Sequence, residues 1–186
     1  MADATRFDLQ RKDAVVVLID LQERLLVTMP DRERLVANIR VLLEAAKLLD
    51  VPILWTEQYP KGLGPTEPSM ARLLPPREGA EKIVFSAWRS PEFSAKLRAT
   101  DRRSVIMAGI ETHVCVMQTA LDLVYAGYQV FVPQDCVSSR TEANKQVGLS
   151  IMDKAGAAVT SVETAVFQMF ERAGGEAFKA FQKMIR

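Results

Sequence analysis

Ala14-Val15-Val16-Val17-Leu18-Ile19 is an unbroken apolar run that stops at Asp20. A run of this length, rich in β-branched residues and without polar alternation, reads as a strand buried on both faces. Downstream, Asp31 to Leu49 carries apolar residues at 35, 36, 39, 42, 43, 46 and 49. That is helical spacing, and Pro30-Asp31 gives it a start. Pro52-Ile53-Leu54-Trp55-Thr56 then reads as a second strand, so strand, helix and strand form a right-handed βαβ unit. The rhythm continues with strands at 82–86, 104–109, 128–132 and 157–161. Helices are expected at 91–99, 113–126 and near 142–154, with one or two more between 163 and 185. Alternation of this kind implies an α/β fold, an open and mostly parallel Rossmann-like sheet of about six strands with helices on both faces. A chain of 186 residues suits one domain spanning 1–186, and folding at that size removes roughly 70% of the extended chain's surface from water.

One stretch interrupts the pattern. Tyr59 to Gly79 holds five of the nine prolines and three of the nine glycines. It reads as a long loop with at most a short helical turn around 69–74, serving as a binding loop or lid, or as a solvent-facing or subunit-contacting excursion. Composition narrows the partners. With 24 Lys+Arg against 23 Asp+Glu the net charge is +1, which leaves no basic stripe for nucleic acid. No apolar run reaches the ~20 residues of a membrane span, and Met1 to Arg6 lacks a signal peptide's apolar segment, so a cytoplasmic location is expected. Cys115 and Cys136 make at most one disulfide, and with His113 as the single histidine they cannot complete a four-ligand zinc site. No G-x-x-x-x-G-K-[ST] loop exists, and Gly62-Leu63-Gly64 fails as a dinucleotide fingerprint because no strand precedes it directly.

Ligands of a parallel α/β sheet bind beyond the carboxyl ends of the strands. Asp20 closes the first strand, Lys82 opens the one after the loop, and Cys115 begins the helix after Gly109-Ile110-Glu111-Thr112-His113-Val114. A helix N-terminus favours a thiolate, and a carboxylate and an ammonium brought beside it would supply a proton acceptor and positive charge. Each residue also has an ordinary reading: a buried thiol, a loop cap and a solvated lysine. His113 lies two positions from Cys115, about 200° around a helix, which makes it a poor base and leaves it to packing or backbone contacts near the turn. Cys136, after Asp135, reads as a structural thiol.

Val17-Leu18-Ile19-Asp20-Leu21-Gln22, Lys82-Ile83-Val84-Phe85-Ser86-Ala87-Trp88 and Gly109-Ile110-Glu111-Thr112-His113-Val114-Cys115-Val116-Met117-Gln118-Thr119-Ala120 occur in the order that marks one superfamily. Over nearly its whole length the chain resembles the isochorismatase-like cysteine hydrolases, which include isochorismatases, nicotinamidases and N-carbamoylsarcosine amidases. Thr56-Glu57-Gln58-Tyr59-Pro60-Lys61-Gly62-Leu63-Gly64 is most similar to the isochorismatase domain-containing branch. The resemblance implies the three-layer sandwich of that superfamily. It also implies a triad of Cys115 as nucleophile, Asp20 as general base and Lys82 as stabilising cation, the pair lowering the thiol's effective pKa. A cis Ile110–Glu111 peptide, with the N–H groups of Glu111 and Cys115 aimed at an oxyanion, belongs to the same pattern. Gln22, Trp55, Tyr59, Phe85 and Trp88 are then candidates for binding a small-molecule substrate.

The departures also carry weight. Nicotinamidases hold a metal through an Asp-x-His arrangement and further histidines, whereas Trp55-Thr56-Glu57-Gln58-Tyr59 has none, so neither metal nor other cofactor is expected. Vinyl-ether hydrolysis of an isochorismate-like dianion stays open, with Lys61 and Arg89 as carboxylate partners. The leading expectation is a metal-independent hydrolase of a small amide, carbamoyl or related C–N substrate through a thioester. A non-turnover, thiol-sensing interaction protein is the alternative of another class. The resemblance points to a homo-oligomer, a dimer or higher, and the apolar C-terminal segment from Ala165 to Met184 is long enough to cover either the sheet or a neighbour.

Overall fold

The computed structural model describes residues 7–77 and 79–185. The hexapeptide on which the signal-peptide reading rests, Glu78 in the long loop, and Arg186 lie outside the described residues. The strands are β1 (Ala14–Ile19), β2 (Ile53–Gln58), β3 (Gly79–Lys82), β4 (Ser104–Ile110), β5 (Gln129–Pro133), β6 (Val137–Ser138) and β7 (Ala158–Thr160). The helices are α1 (Glu23–Leu26), α2 (Arg32–Leu48), α3 (Pro60–Leu63), α4 (Pro68–Ala71), α5 (Pro91–Ala99), α6 (Met117–Tyr125), α7 (Glu142–Ala155), α8 (Val162–Phe170) and α9 (Gly175–Met184). No helix among the described residues is long and apolar enough to cross a membrane.

The strands form one parallel sheet of seven, ordered β3-β2-β1-β4-β5-β7, with the short β6 added beside the end of β4. β1 is central, and its six side chains are all buried. Ala14, Val16 and Leu18 face a core built with α2, α8 and α9. Val15, Val17 and Ile19 face a second core built with α5, α6 and α7. The continuous apolar run is the sequence consequence of a strand packed on both sides. The C-terminal segment is spent on this chain's own sheet: Val166 and Phe181 are fully buried, and Phe167, Phe170, Phe178 and Phe181 pack edge to face.

Three expectations are corrected. The third strand ends at Lys82 where the apolar pattern predicts that it begins. β2 ends at Gln58, whose partner is Lys82, so the ladder has no further rung to offer Ile83-Val84-Phe85. These residues curl away at the sheet edge, leaving Ile83 81% exposed. The sheet has seven strands because Val137-Ser138 joins Gly109-Ile110 beyond the end of β5. The helix expected from residue 113 opens as a π-helical turn, Thr112–Val116, before α6 begins.

The long loop contains two one-turn helices, α3 and α4, and is fastened to the segment after β1. Glu23 N donates to Pro65 O, Glu67 N to Leu21 O, and Gln22 Nε2 to Gly64 O. Glu57 Oε1 accepts from both the N–H and the hydroxyl of Thr66. These bonds tie the stretch to β2 and to the segment after β1.

Gly109 sets the closest approach in the sheet. It pairs with Ile19, lies at φ +120°, and a Cβ there would run into the Ile19 carbonyl. The clash and the positive φ both act against a side chain. Gly109→Ala is expected to cost about 3 kcal/mol of stability, read as a lower midpoint in urea unfolding at unchanged slope.

Candidate active site

Asp20, just past β1, has φ 49°, a left-handed conformation that Asp tolerates better than most residues. Its Oδ1 accepts from Thr56 Oγ1 at 2.7 Å, and its Oδ2 accepts from Lys82 Nζ at 2.6 Å. Both side chains of this ion pair are 0% exposed. Lys82 Nζ also donates to Gln58 Oε1 at 2.7 Å and to the Phe85 carbonyl at 3.1 Å, with Val84 O farther away at 3.4 Å. The bend at Ile83-Val84-Phe85 thus returns its carbonyls to the ammonium. Gln58 cannot turn its amide around, because its Nε2 donates to Ile83 O at 2.7 Å. The three N–H bonds of the ammonium are therefore committed to protein acceptors.

Cys115 enters from the other side. Its thiol, 6% exposed as a residue, lies beside Asp20 and Lys82 and feels the charge of both. The turn that carries it is anchored at several points. Glu111 O accepts from Val114 N and Val116 N, and Thr119 Oγ1 donates to Cys115 O at 2.6 Å while accepting from Ala87 N at 2.8 Å. Behind it, α7 packs so tightly that a Cβ on Gly148 would come within 2.9 Å of His113 Cα and Thr112 O. The Ile110–Glu111 peptide is cis. The Glu111 carboxylate holds the backbone N–H and the Nε of Arg140, each at 3.0 Å. His113 Nδ1 lies 3.0 Å from Ser139 Oγ, which ties the imidazole to the loop after β6.

The acidity of this thiol departs from expectation. Burial, followed by the Asp20 charge, pushes Cys115 up to about 12, and Lys82 opposes this only in part. Burial and the neighbouring carboxylate thus disfavour the thiolate, and the resting group is a neutral thiol beside Asp20. The reading in which the pair lowers the thiol's pKa is corrected: desolvation and the Asp20 charge outweigh the cation. Cys136 is raised well above its ordinary value by complete burial and lies in the core on the α2 side.

An isochorismatase domain model matches residues 14–164. The chain belongs to the isochorismatase family. Isochorismatase domain-containing protein 2A of Mus musculus is 37% identical over 177 residues, which cover 94% of this chain and 84% of that protein. The secreted isochorismatase effector Isc1 of Phytophthora sojae is 38% identical over 178 residues, 93% of this chain and 84% of that protein. Among solved structures, the MAR1 ribonuclease of Caenorhabditis elegans superposes with a TM-score of 0.88 at 33% identity, covering 95% of this chain and 91% of that one. The YcaC gene product of Escherichia coli, described as an octameric hydrolase of unknown specificity, gives 0.85 at 27% identity, covering 89% of this chain and 83% of that one. Isochorismatase-family membership makes the chain a hydrolase.

Within this isochorismatase fold the five residues singled out for substrate contact lie in different places. Tyr59 and Phe85 flank Lys82 and are 52% and 53% exposed, Tyr59 N donating to Lys82 O. Gln22 is fully buried with its amide saturated by Gln58 N, Gln58 O and Gly64 O, so it braces β2 and the loop. Trp55 packs on the α2 side of the sheet and donates its indole N–H to Pro75 O. Trp88 packs with residues outside the triad, its ring 5.4 Å from Tyr128 and 4.6 Å from the Arg98 guanidinium. Thr56, Gln58 and Thr119 escaped the sequence reading because a hydroxyl or amide carries no distinctive spacing. The alternation of β2, which puts 56 and 58 on the same face, was the available signal. No cluster of three or more His, Cys, Asp or Glu suited to a metal occurs among the described residues.

Proposed function

We propose that this isochorismatase-family hydrolase is a metal-independent cysteine hydrolase that cleaves a small amide, carbamoyl or related C–N bond. The observation that carries the reading is the fully buried Asp20–Lys82 pair beside the Cys115 thiol. As sulfur attacks the carbonyl carbon, Asp20 takes the thiol proton, and the carbonyl electrons move to oxygen, held by the N–H groups of Glu111 and Cys115. The tetrahedral adduct collapses, the C–N bond breaks, and Asp20 returns the proton to the departing nitrogen. Water then attacks the thioester with Asp20 as base, releasing a carboxylic or carbamic acid and the thiol. Lys82 spends its N–H groups on the protein, so it acts by charge: it keeps Asp20 in place and offsets part of the negative charge that develops on sulfur. Tyr59 and Phe85 form the wall of the entrance. The octameric YcaC relative and the exposed Ile83-Val84-Phe85 run favour a homo-oligomer in which this edge meets another subunit.

A raised thiol pKa and low exposure are the reverse of what a redox-sensing cysteine needs, which favours turnover over stoichiometric modification. The test is acid-quench mass spectrometry of the intact protein during incubation with a panel of small primary amides. A thioester adduct on Cys115 with ammonia release, both absent in Cys115→Ala, is the expected result. Cleavage of an RNA oligonucleotide run in parallel, lost in Cys115→Ala while no amide reacts, would replace this reading with one nearer the name of the Caenorhabditis relative.

A further inference from the structure

We infer that Glu111 and Arg140 are positioning residues for the chemistry at Cys115: the clasp between them holds the segment whose N–H groups receive the oxyanion, and its loss slows acyl transfer without disarming the thiol. The inference rests on Cys115 being the nucleophile and on the Glu111 and Cys115 N–H groups being the oxyanion donors, and it adds the device that keeps them in place. Glu111 joins β4 to the π-helical turn Thr112–Val116. Its carbonyl grips the turn from within, accepting from Val114 N at 3.1 Å and from Val116 N at 3.2 Å. Its carboxylate grips the loop after β6, one oxygen, Oε2, accepting from both Arg140 N and Arg140 Nε at 3.0 Å. Hydrogen bonds to an ionised group are stronger than neutral ones, and here one of the two has charge on both sides. The Glu111 side chain is 11% exposed against 61% for Arg140, so the carboxylate end of the pair is shielded from water.

The turn needs such a hold. π-Helical turns are rare and concentrate at functional sites, and this one gets little help from its own first side chain. Thr112 is fully buried and its Oγ1 has no hydrogen-bond partner, so it supplies no polar anchor. The residues on either side of it do. Arg140 takes the Glu111 carboxylate, and Ser139 Oγ lies 3.0 Å from His113 Nδ1. Both partners come from one short loop, and that loop is fixed at its two ends. Val137-Ser138 is paired with Gly109-Ile110 in the sheet, and Thr141 Oγ1 accepts from Asn144 N to cap α7. The short strand β6, which the apolar pattern does not announce, therefore brings Ser139 and Arg140 alongside the turn that carries Cys115. Of the two tethers, Arg140 is the one whose side chain is mostly in solvent, and it can be shortened without opening a cavity.

Arg140→Ala tests the clasp through two reactions of the same sulfur. p-Nitrophenyl acetate and iodoacetamide would be applied separately to the parent and to Arg140→Ala, with Cys115→Ala as the blank, and modification of Cys115 followed by peptide mass spectrometry. With the ester, the S–C bond forms through an oxyanion adduct, the thiol proton passes to Asp20, the C–O bond breaks and p-nitrophenolate leaves. With iodoacetamide, sulfur attacks a saturated carbon, iodide leaves and no oxyanion forms. Acetylation is expected to fall about tenfold to a hundredfold in Arg140→Ala while alkylation stays within about twofold of the parent. Guanidinium chloride at a few tens of millimolar, set against sodium chloride at the same concentration, should recover acetylation severalfold by returning a guanidinium to Glu111. Unchanged acetylation in Arg140→Ala would overturn the inference. Parallel slowing of both reactions, or a loss that guanidinium does not relieve, would make Arg140 a support of the fold alone and overturn it as well. A parent protein that takes no acetyl group on Cys115 would remove the nucleophile, and the inference with it.

Discussion

Asp20→Asn is expected to make Cys115 more reactive toward iodoacetamide while abolishing turnover. The two effects separate because the carboxylate does two opposed things. As a charge and a hydrogen-bond acceptor for the thiol proton it holds the thiol up at about 12, and Lys82 pulls the other way. An asparagine keeps the shape and can still accept from Thr56 Oγ1, but it removes the anion and leaves the cation. The thiol pKa therefore falls, though burial, its largest cause, keeps it above the ordinary value of 9.0. At a fixed pH below both values the thiolate fraction, and with it the alkylation rate, rises about tenfold for each unit of the fall. Catalysis moves in the other direction, since an amide cannot accept the thiol proton and pass it to the leaving nitrogen. The loss belongs to general acid–base chemistry, about 10² to 10⁴-fold in turnover. Alkylation rates against pH for the two proteins, set beside their amidase rates, check this. Parallel slowing of alkylation and turnover would mean that Asp20 works by preforming the thiolate, and the neutral resting thiol would have to be abandoned.

How far the sequence carries one toward this site can be judged from particular residues. β1 is legible because a strand packed on both faces leaves nothing but apolar residues, and the parallel order that follows places Asp20, Lys82 and Cys115 at the carboxyl ends of the strands. The start of β3 is not legible. Ile83-Val84-Phe85 has strand-like residues, but where a strand ends depends on whether its neighbour still offers a rung, and Gln58 is the last that β2 supplies. Side-chain direction is hidden for a similar reason. Trp88 is one residue from Ala87, whose N–H is pinned to Thr119, yet its ring packs on Tyr128 before β5, a choice made by tertiary packing. The sign of the thiol shift is the deepest omission. Motif spacing brings a carboxylate and an ammonium to a cysteine, but which of them wins depends on burial, which the motif does not encode.

Lys82→Met is expected to be the most damaging substitution to the fold and to shift the thiol opposite to Asp20→Asn. The ammonium satisfies a carboxylate that is fully buried, and without it Asp20 would retain Thr56 as its donor but no countercharge. Breaking a buried pair from one side costs about 3–5 kcal/mol, a large share of the ~5–15 kcal/mol that stabilises a domain. Thermal unfolding should shift down by roughly 10 °C or more at this chain length. The double variant Asp20→Asn/Lys82→Met removes both charges, and most of the lost stability should return, giving a strongly favourable interaction energy in the double-mutant cycle. Activity should be absent from all three proteins. Their thiols differ, however. With the lowering influence of Lys82 gone and Asp20 kept, Cys115 in Lys82→Met should alkylate more slowly than in the parent, where Asp20→Asn alkylates faster. Two inactive variants with thiols displaced in opposite directions are what a neutral thiol between an anion and a cation demands. A Lys82→Met protein that melts with the parent would show that the pair is not the buried, mutually dependent unit on which this chemistry rests.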